Sequence, residues 1–294
     1  MGFFKSLFGG SQSSEDKRKD EDSKNFETLK YDGVRALKQG QFGFAIKCFT
    51  HALDIQEDLE CRDYLSQAYM HADELAPALE QLQLLGEAQP QNTAIFIRMA
   101  EVCYMMEDYD AMAAACEKAM ETDKENPIVL FNYARACNGQ GNPISAIALL
   151  TKAIALKEDF GTARLMRGDL LIKMGDIKGA TEDAEWLEQA AEGNEDVLLL
   201  VARIAEKAGD HDKAIADYGR VIDADPFCVA AFKERGAIRL AQGDAKGAEE
   251  DMRSVLELDP KMAEGVSGDY SAEGIESKVK AKYRSMDPYG IFSE

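Results

Sequence analysis

GDHDKAIADYGRVIDADP (209–226) is followed 34 residues on by GDAKGAEEDMRSVLELDP (243–260), and the two run in register. Both open on Gly-Asp, carry alanine sixth (Ala214, Ala248) and a bulky residue tenth (Tyr218, Met252), and close on Asp-Pro at Pro226 and Pro260. Working outward, Ala214 and Ala248 extend backwards as Ala180, Ala146, Met112, Ala78 and Ala45. Twelve residues before each stands another small side chain: Gly33, Ser66, Ala100, Ala134, Gly168, Ala202 and Gly236. Two sets locked to one period mark an internal repeat. Small residues on two facing helices let their backbones approach while larger neighbours interdigitate around the contact.

Between the two sets comes a turn at Gly40, Gly141, Gly175, Gly209 and Gly243, with Asp73 and Glu107 in the remaining units. Glycine suits the left-handed conformation that ends a helix. The Asp that follows at 176 and 244 is placed to cap the next helix. Pro143 fits a first helical turn, and Pro90, Pro226 and Pro260 fit the close of second helices.

On these residues the chain resembles the tetratricopeptide repeat family, whose unit is 34 residues. The resemblance covers 26–262 as seven units, beginning near Phe26, Leu59, Thr93, Pro127, Gly161, Glu195 and Val229. It implies an all-α fold, a right-handed superhelical solenoid of about seven helix-turn-helix repeats. Each unit alone exposes an apolar face, so neighbours must stack. Departures stand out. The family's late alanine is kept at Ala52, Ala119 and Ala153 but becomes Leu85, Leu187, Val221 and Val255. Ala184 takes a bulky position three residues before Leu187. At the bulky first-helix position, Leu29, Phe96, Leu130, Leu198 and Phe232 fit, while Arg62 and Arg164 do not.

Segments 1–25 and 263–294 flank the array. Phe3, Phe4, Leu7 and Phe8 share one face if residues 3–8 are helical, and 9–25 offers no apolar side chain, which reads as a flexible charged linker. Residues 271–286 read as a helix capping the last repeat, with Ile275, Val279 and Tyr283 in a narrow stripe and Lys278, Lys280, Lys282 and Arg284 around it. The alternative for the Phe-rich stub or this basic helix is recruitment to a membrane periphery.

The formal charge is −20, from 54 acidic and 34 basic side chains. Such a field repels phosphate backbones, which argues against nucleic acid as a partner. The six cysteines (Cys48, Cys61, Cys103, Cys116, Cys137, Cys228) stand singly, as small packing residues of a reduced, cytoplasmic chain. No stretch reaches the ~20 apolar residues that span a bilayer. His51, His71 and His211 fall at unrelated places in their repeats, so neither a triad nor a metal site is expected. The reading is a protein without catalytic residues, metal or cofactor.

In the family, first helices line a concave groove that accepts peptides. Carried onto this chain, the groove positions give Tyr104, Phe131, Arg135, Leu165, Asp169, Ile172, Lys173, Arg203 and Lys207. Aromatics beside arginines concentrate binding energy. The resemblance therefore implies a locally basic strip that holds protein segments, acidic or carboxylate-ended ones in particular. The carboxylate clamp with which some family members grip chaperone tails is not implied. Asn132 suits one of its places, but Ile97, Glu101, Thr162 and Met166 occupy others. Trp186, the sole tryptophan, is expected to face outward or to pack on the 188–194 connection.

Overall fold

Small side chains, left-handed turns and aspartate caps recur in a computed structural model that describes residues 14–263. Fourteen α-helices follow in order: α1 (Ser14–Lys38), α2 (Phe42–Ile55), α3 (Leu59–His71), α4 (Leu75–Ala88), α5 (Thr93–Met105), α6 (Tyr109–Thr122), α7 (Pro127–Gly139), α8 (Pro143–Leu156), α9 (Gly161–Lys173), α10 (Ile177–Ala190), α11 (Glu195–Lys207), α12 (His211–Ala224), α13 (Val229–Ala241) and α14 (Ala245–Leu258). A short 3₁₀ turn, Pro260–Ala263, ends the described chain, and no strand occurs among the described residues. The helices pair as seven hairpins, as the repeat implies.

The turn chemistry is as read. Gly40, Gly141, Gly175, Gly209 and Gly243 have positive φ, and Asp73 and Glu107 adopt it too, at 59° and 57°. The geometry of the turn overrides the side-chain penalty in those two units. Asp176, Asp210 and Asp244 each accept a bond from the N–H three residues on, capping α10, α12 and α14. Asp58, Asp108, Asn126 and Asn194 cap other helices in the same way.

All fourteen small-residue positions are buried, Met112 among them. A Cβ on Gly33 would lie 2.7 Å from the Phe49 ring of the paired helix α2. One on Gly168 would lie 2.9 Å from Leu200 on α11, the first helix of the following unit. The small residue thus serves both the hairpin and the stacking of units. Large side chains fill the space around these contacts, with Phe49, Leu82, Leu130 and Tyr218 wholly buried. Each contributes about 1.5–3 kcal/mol over exposure. Five cysteines are buried, Cys228 is half-buried at the N-cap of α13, and all are free thiols.

The chain divides into two compact units between Leu156 and Lys157. The first holds the hairpins α1/α2, α3/α4, α5/α6 and α7/α8; the second holds α9/α10, α11/α12 and α13/α14.

Two departures from expectation are local. The stretch 9–25, expected to be flexible, is helical from Ser14 on, and α1 runs straight into the first repeat. Its residues 18–25 are all exposed, so burial does not hold them. Lysine, arginine and glutamate favour helix, Asp20 and Lys24 stand four apart, and extending an anchored helix avoids the cost of a new nucleus. The second departure concerns Arg62 and Arg164. Arg62 donates to Gln81 on α4 at 2.7 Å and pairs with Glu57; Arg164 donates to Asp183 on α10 at 3.3 Å and lies 4.5 Å over the Trp186 ring. Each arginine fills a bulky apolar place with its stem and finds a polar partner 19 residues on. Trp186 therefore packs against α9. The stub at 3–8 and the helix expected at 271–286 lie outside the described residues.

Candidate functional site

First-helix positions in the first unit gather three of the expected residues. Phe131 and Arg135 stand on α7 and Tyr104 near the end of α5. The Arg135 guanidinium carbon sits 3.4 Å from the Tyr104 ring centre and 5.7 Å from that of Phe131. Tyr109 meets Tyr104 edge-on, with ring centres 6.3 Å apart. Arg135 Nη1 donates to Asn132 Oδ1 at 3.2 Å, while the Nδ2 of that buried asparagine has no partner. Ile128, which the sequence reading omitted, is exposed and precedes Phe131 and Arg135 at i, i+3 and i+7 spacing. That spacing puts all three on one helical face. Met105, beside Tyr104, is also exposed.

In the second unit the expected residues sit in a different electrostatic setting. Arg203 grips Glu234 on α13 with two bonds of 2.9 and 2.8 Å, and its Nη1 lies 3.4 Å from Asp169 on α9. The cation expected to meet a partner is thus held between two carboxylates of its own chain. Asp169 is pushed up from the ordinary carboxylate value by burial, against the pull of Arg203 and Lys173. Behind this pair the Tyr218 hydroxyl lies 2.6 Å from Glu206 and 2.9 Å from Glu234. Burial likewise pushes Glu206 upward, against its bond from Tyr218. Ile172 is buried, Leu165 and Lys207 are half-buried, and Lys173 is exposed. Glu206 and Glu234 escaped the sequence reading, and Tyr218 was read there only as a bulky packing residue. Their signal was faint, because they come from three helices and carry no shared spacing.

A cavity of about 400 Å³ opens near the α10–α11 connection, lined by Glu185, Glu188 and Glu192, by Val197 and Leu198, and by Arg220. No histidine or cysteine lines it. Among the described residues, no three His, Cys, Asp or Glu side chains gather as a metal site, and no helix is long and apolar enough to cross a membrane.

Comparison with known proteins bears on the fold. A family model described as tetratricopeptide repeat matches residues 165–220 and 199–263. DnaJ homolog subfamily C member 3 of Homo sapiens is 27% identical over 155 residues, a match that spans 48% of this chain and 31% of that relative. This chain therefore aligns with less than a third of its curated relative. Among solved structures, a tetratricopeptide repeat protein from Parabacteroides merdae has a TM-score of 0.69 at 16% identity, covering 88% of this chain and 99% of that one. The type IV pilus biogenesis factor PilW has a TM-score of 0.62 at 17% identity, covering 78% of this chain and 97% of its own. At such identities the likeness is one of fold.

Proposed function

We propose, from the premise that this chain is a tetratricopeptide repeat protein, that it is a non-enzymatic adaptor holding segments of other proteins against its first helices. The observation that carries the reading is the group on α5 and α7. Tyr104 and Ile128 are exposed there, Phe131 is half-buried, and Arg135 is stacked on the Tyr104 ring. Aromatic and arginine side chains fixed by their own packing lose little entropy when a partner arrives, which is what a hot spot requires. The second unit supports the reading in a different way. Leu165, Asp169, Lys173, Arg203 and Lys207 present polar and apolar atoms on first helices, with Arg203 already ordered by Asp169 and Glu234. Partner segments that carry carboxylates suit the cationic members of both sets.

The test is capture of partners from a native extract by the full chain and by Arg135→Glu. Among the described residues Arg135 pairs with no carboxylate, so charge reversal breaks no ion pair, and a melting curve checks that the variant is folded. Arg203 is unsuited to the same test, because its reversal would set a third acid against Asp169 and Glu234. Loss of partners from the variant is the expected result; an unchanged set of captured proteins contradicts the reading.

A further inference from the structure

Arginines withdrawn from solvent in this protein are paired with acids. Arg62 has Glu57, Arg98 has Asp63, Arg167 has Asp183, Arg203 has Glu234 and Arg235 has Asp251. Arg135 is the exception. Among the described residues no carboxylate reaches it, although the chain carries 54 acidic side chains. Its place is set instead by the Tyr104 face at 3.4 Å and by one bond to Asn132 Oδ1. One of its five N–H donors is used within the chain, and four remain. Beside it stands a second donor without an acceptor, the Nδ2 of Asn132, whose residue is 2% exposed. A guanidinium flattened on an aromatic ring keeps its in-plane donors for a planar acceptor, the geometry that a carboxylate matches.

We propose that Arg135, stacked on Tyr104 and backed by Asn132, receives a single Asp or Glu side-chain carboxylate from an extended protein segment whose neighbouring apolar side chains rest on Phe131 and Ile128. This rests on the adaptor reading and names the partner chemistry of the same face. Two features select the kind of segment. The net charge of −20 repels a run of acids, so one isolated carboxylate among apolar residues is favoured over a polyacidic tract. Exposed apolar side chains stand on both helices of the group, Ile128 two turns before Arg135 on α7 and Met105 next to Tyr104 in sequence on α5. A segment that crosses from one helix to the other runs on past the arginine, which makes the carboxylate an internal one.

The experiment uses the full chain and short peptides labelled with an uncharged BODIPY dye in matched sets: one central Glu flanked by Leu and Ile with an amidated C-terminus, the same amidated peptide with Gln, and a third whose sole carboxylate is its C-terminus. Fluorescence anisotropy is read for the wild type, Arg135→Gln and Arg135→Lys, with melting curves confirming that the variants are folded. The Glu peptide is expected to bind the wild type about tenfold more tightly than the Gln peptide. That gap closes in Arg135→Gln and narrows in Arg135→Lys, which keeps the charge and loses the fork. The terminal-acid peptide binds no better than the Gln peptide. Equal binding of Glu and Gln peptides overturns the proposal, as does a gap that survives Arg135→Gln or a terminal acid that binds best. Absence of binding by every peptide also overturns it, while the adaptor reading stands or falls separately on capture of whole partners.

Discussion

Arg167 holds the Asp183 carboxylate with two bonds, Nε to Oδ2 at 2.8 Å and Nη2 to Oδ1 at 2.6 Å, and Asp183 is wholly shut off from solvent. The arrangement recurs two units later, where Arg235 holds buried Asp251 in the same two-pronged way. Between them, Asp217 occupies the matching place with one bond only, from Arg220 to Oδ1 at 3.1 Å. Its Oδ2 is buried and unpartnered, because Val201 stands where Arg167 and Arg235 stand in the flanking units.

Removing Arg167 leaves buried Asp183 with one longer bond, from Arg164 at 3.3 Å. Arg167→Met is therefore expected to destabilise the protein by about 2 kcal/mol in urea unfolding, within the range for hydrogen bonds to charged groups. The double variant Arg167→Met, Asp183→Leu is expected to lose less than the single one. A double variant that is the weaker of the two would mean that the pair itself holds the hairpin together.

The middle unit gives the converse case. Val201→Arg supplies the arginine that the periodic pattern lacks and brings a donor to Asp217 Oδ2. An increase in stability of about 1 kcal/mol is expected in the same assay, within the range for hydrogen bonds to charged groups. A loss of stability would show that the single bond from Arg220 suffices for Asp217 and that the new side chain is only crowded.

Tyr218 has one hydroxyl hydrogen and two carboxyl groups within reach, Glu206 and Glu234. Both contacts are hydrogen bonds only when a carboxyl supplies the second hydrogen. Burial raises Glu206, opposed by Tyr218, Lys207 and Arg203 and reinforced by Glu234. Glu206 thus binds its proton more tightly in the folded chain than in the unfolded one. Between the ordinary glutamate value and the raised one the folded state holds more protons, so stability falls as pH rises through that window. Asp169 is raised as well and contributes with the same sign. Glu206→Gln is expected to flatten, without abolishing, this fall in melting temperature. A variant whose profile overlays the wild type would assign the dependence to Asp169 alone.

Glu107 ends α5 with φ at 57°, where its Cβ crowds the backbone, and it is exposed. Glycine suffers no such clash but loses more chain entropy on folding. The left-handed conformation costs a side chain about 1–2 kcal/mol, so Glu107→Gly is expected to stabilise the protein slightly in thermal melts. Ala248→Phe is the opposite kind of change. Ala248 has no exposed surface, and the added ring is expected to cost about 1–3 kcal/mol through overpacking. A melt unchanged by the phenylalanine would contradict the packing of α13 against α14.

The repeat was legible because its signals are local. Small residues at fixed offsets, glycine in the turn and aspartate at the cap all act within a few residues, and Asp73 and Glu107 obey the turn although they break the glycine pattern. Pairings across helices were not legible. Arg62 and Arg164 looked like misfits until Gln81 and Asp183 were found beside them, each 19 residues on. Arg203 looked free for a partner because Glu234 and Asp169 reach it from 31 and 34 residues away. The group on α5 and α7 fell between these extremes. Tyr104, Phe131 and Arg135 were readable from repeat position, whereas the lack of an acid at Arg135 became visible only with every neighbour in place.

The central claim is that partners lie against the first helices at α5 and α7. Site-specific photo-crosslinking measures this most directly, with benzophenone side chains placed at Phe131 and, as a control, at exposed Lys118 on the second helix α6. The account predicts covalent adducts with a partner protein from position 131 and none from position 118. Adducts from 118 with none from 131 would contradict it.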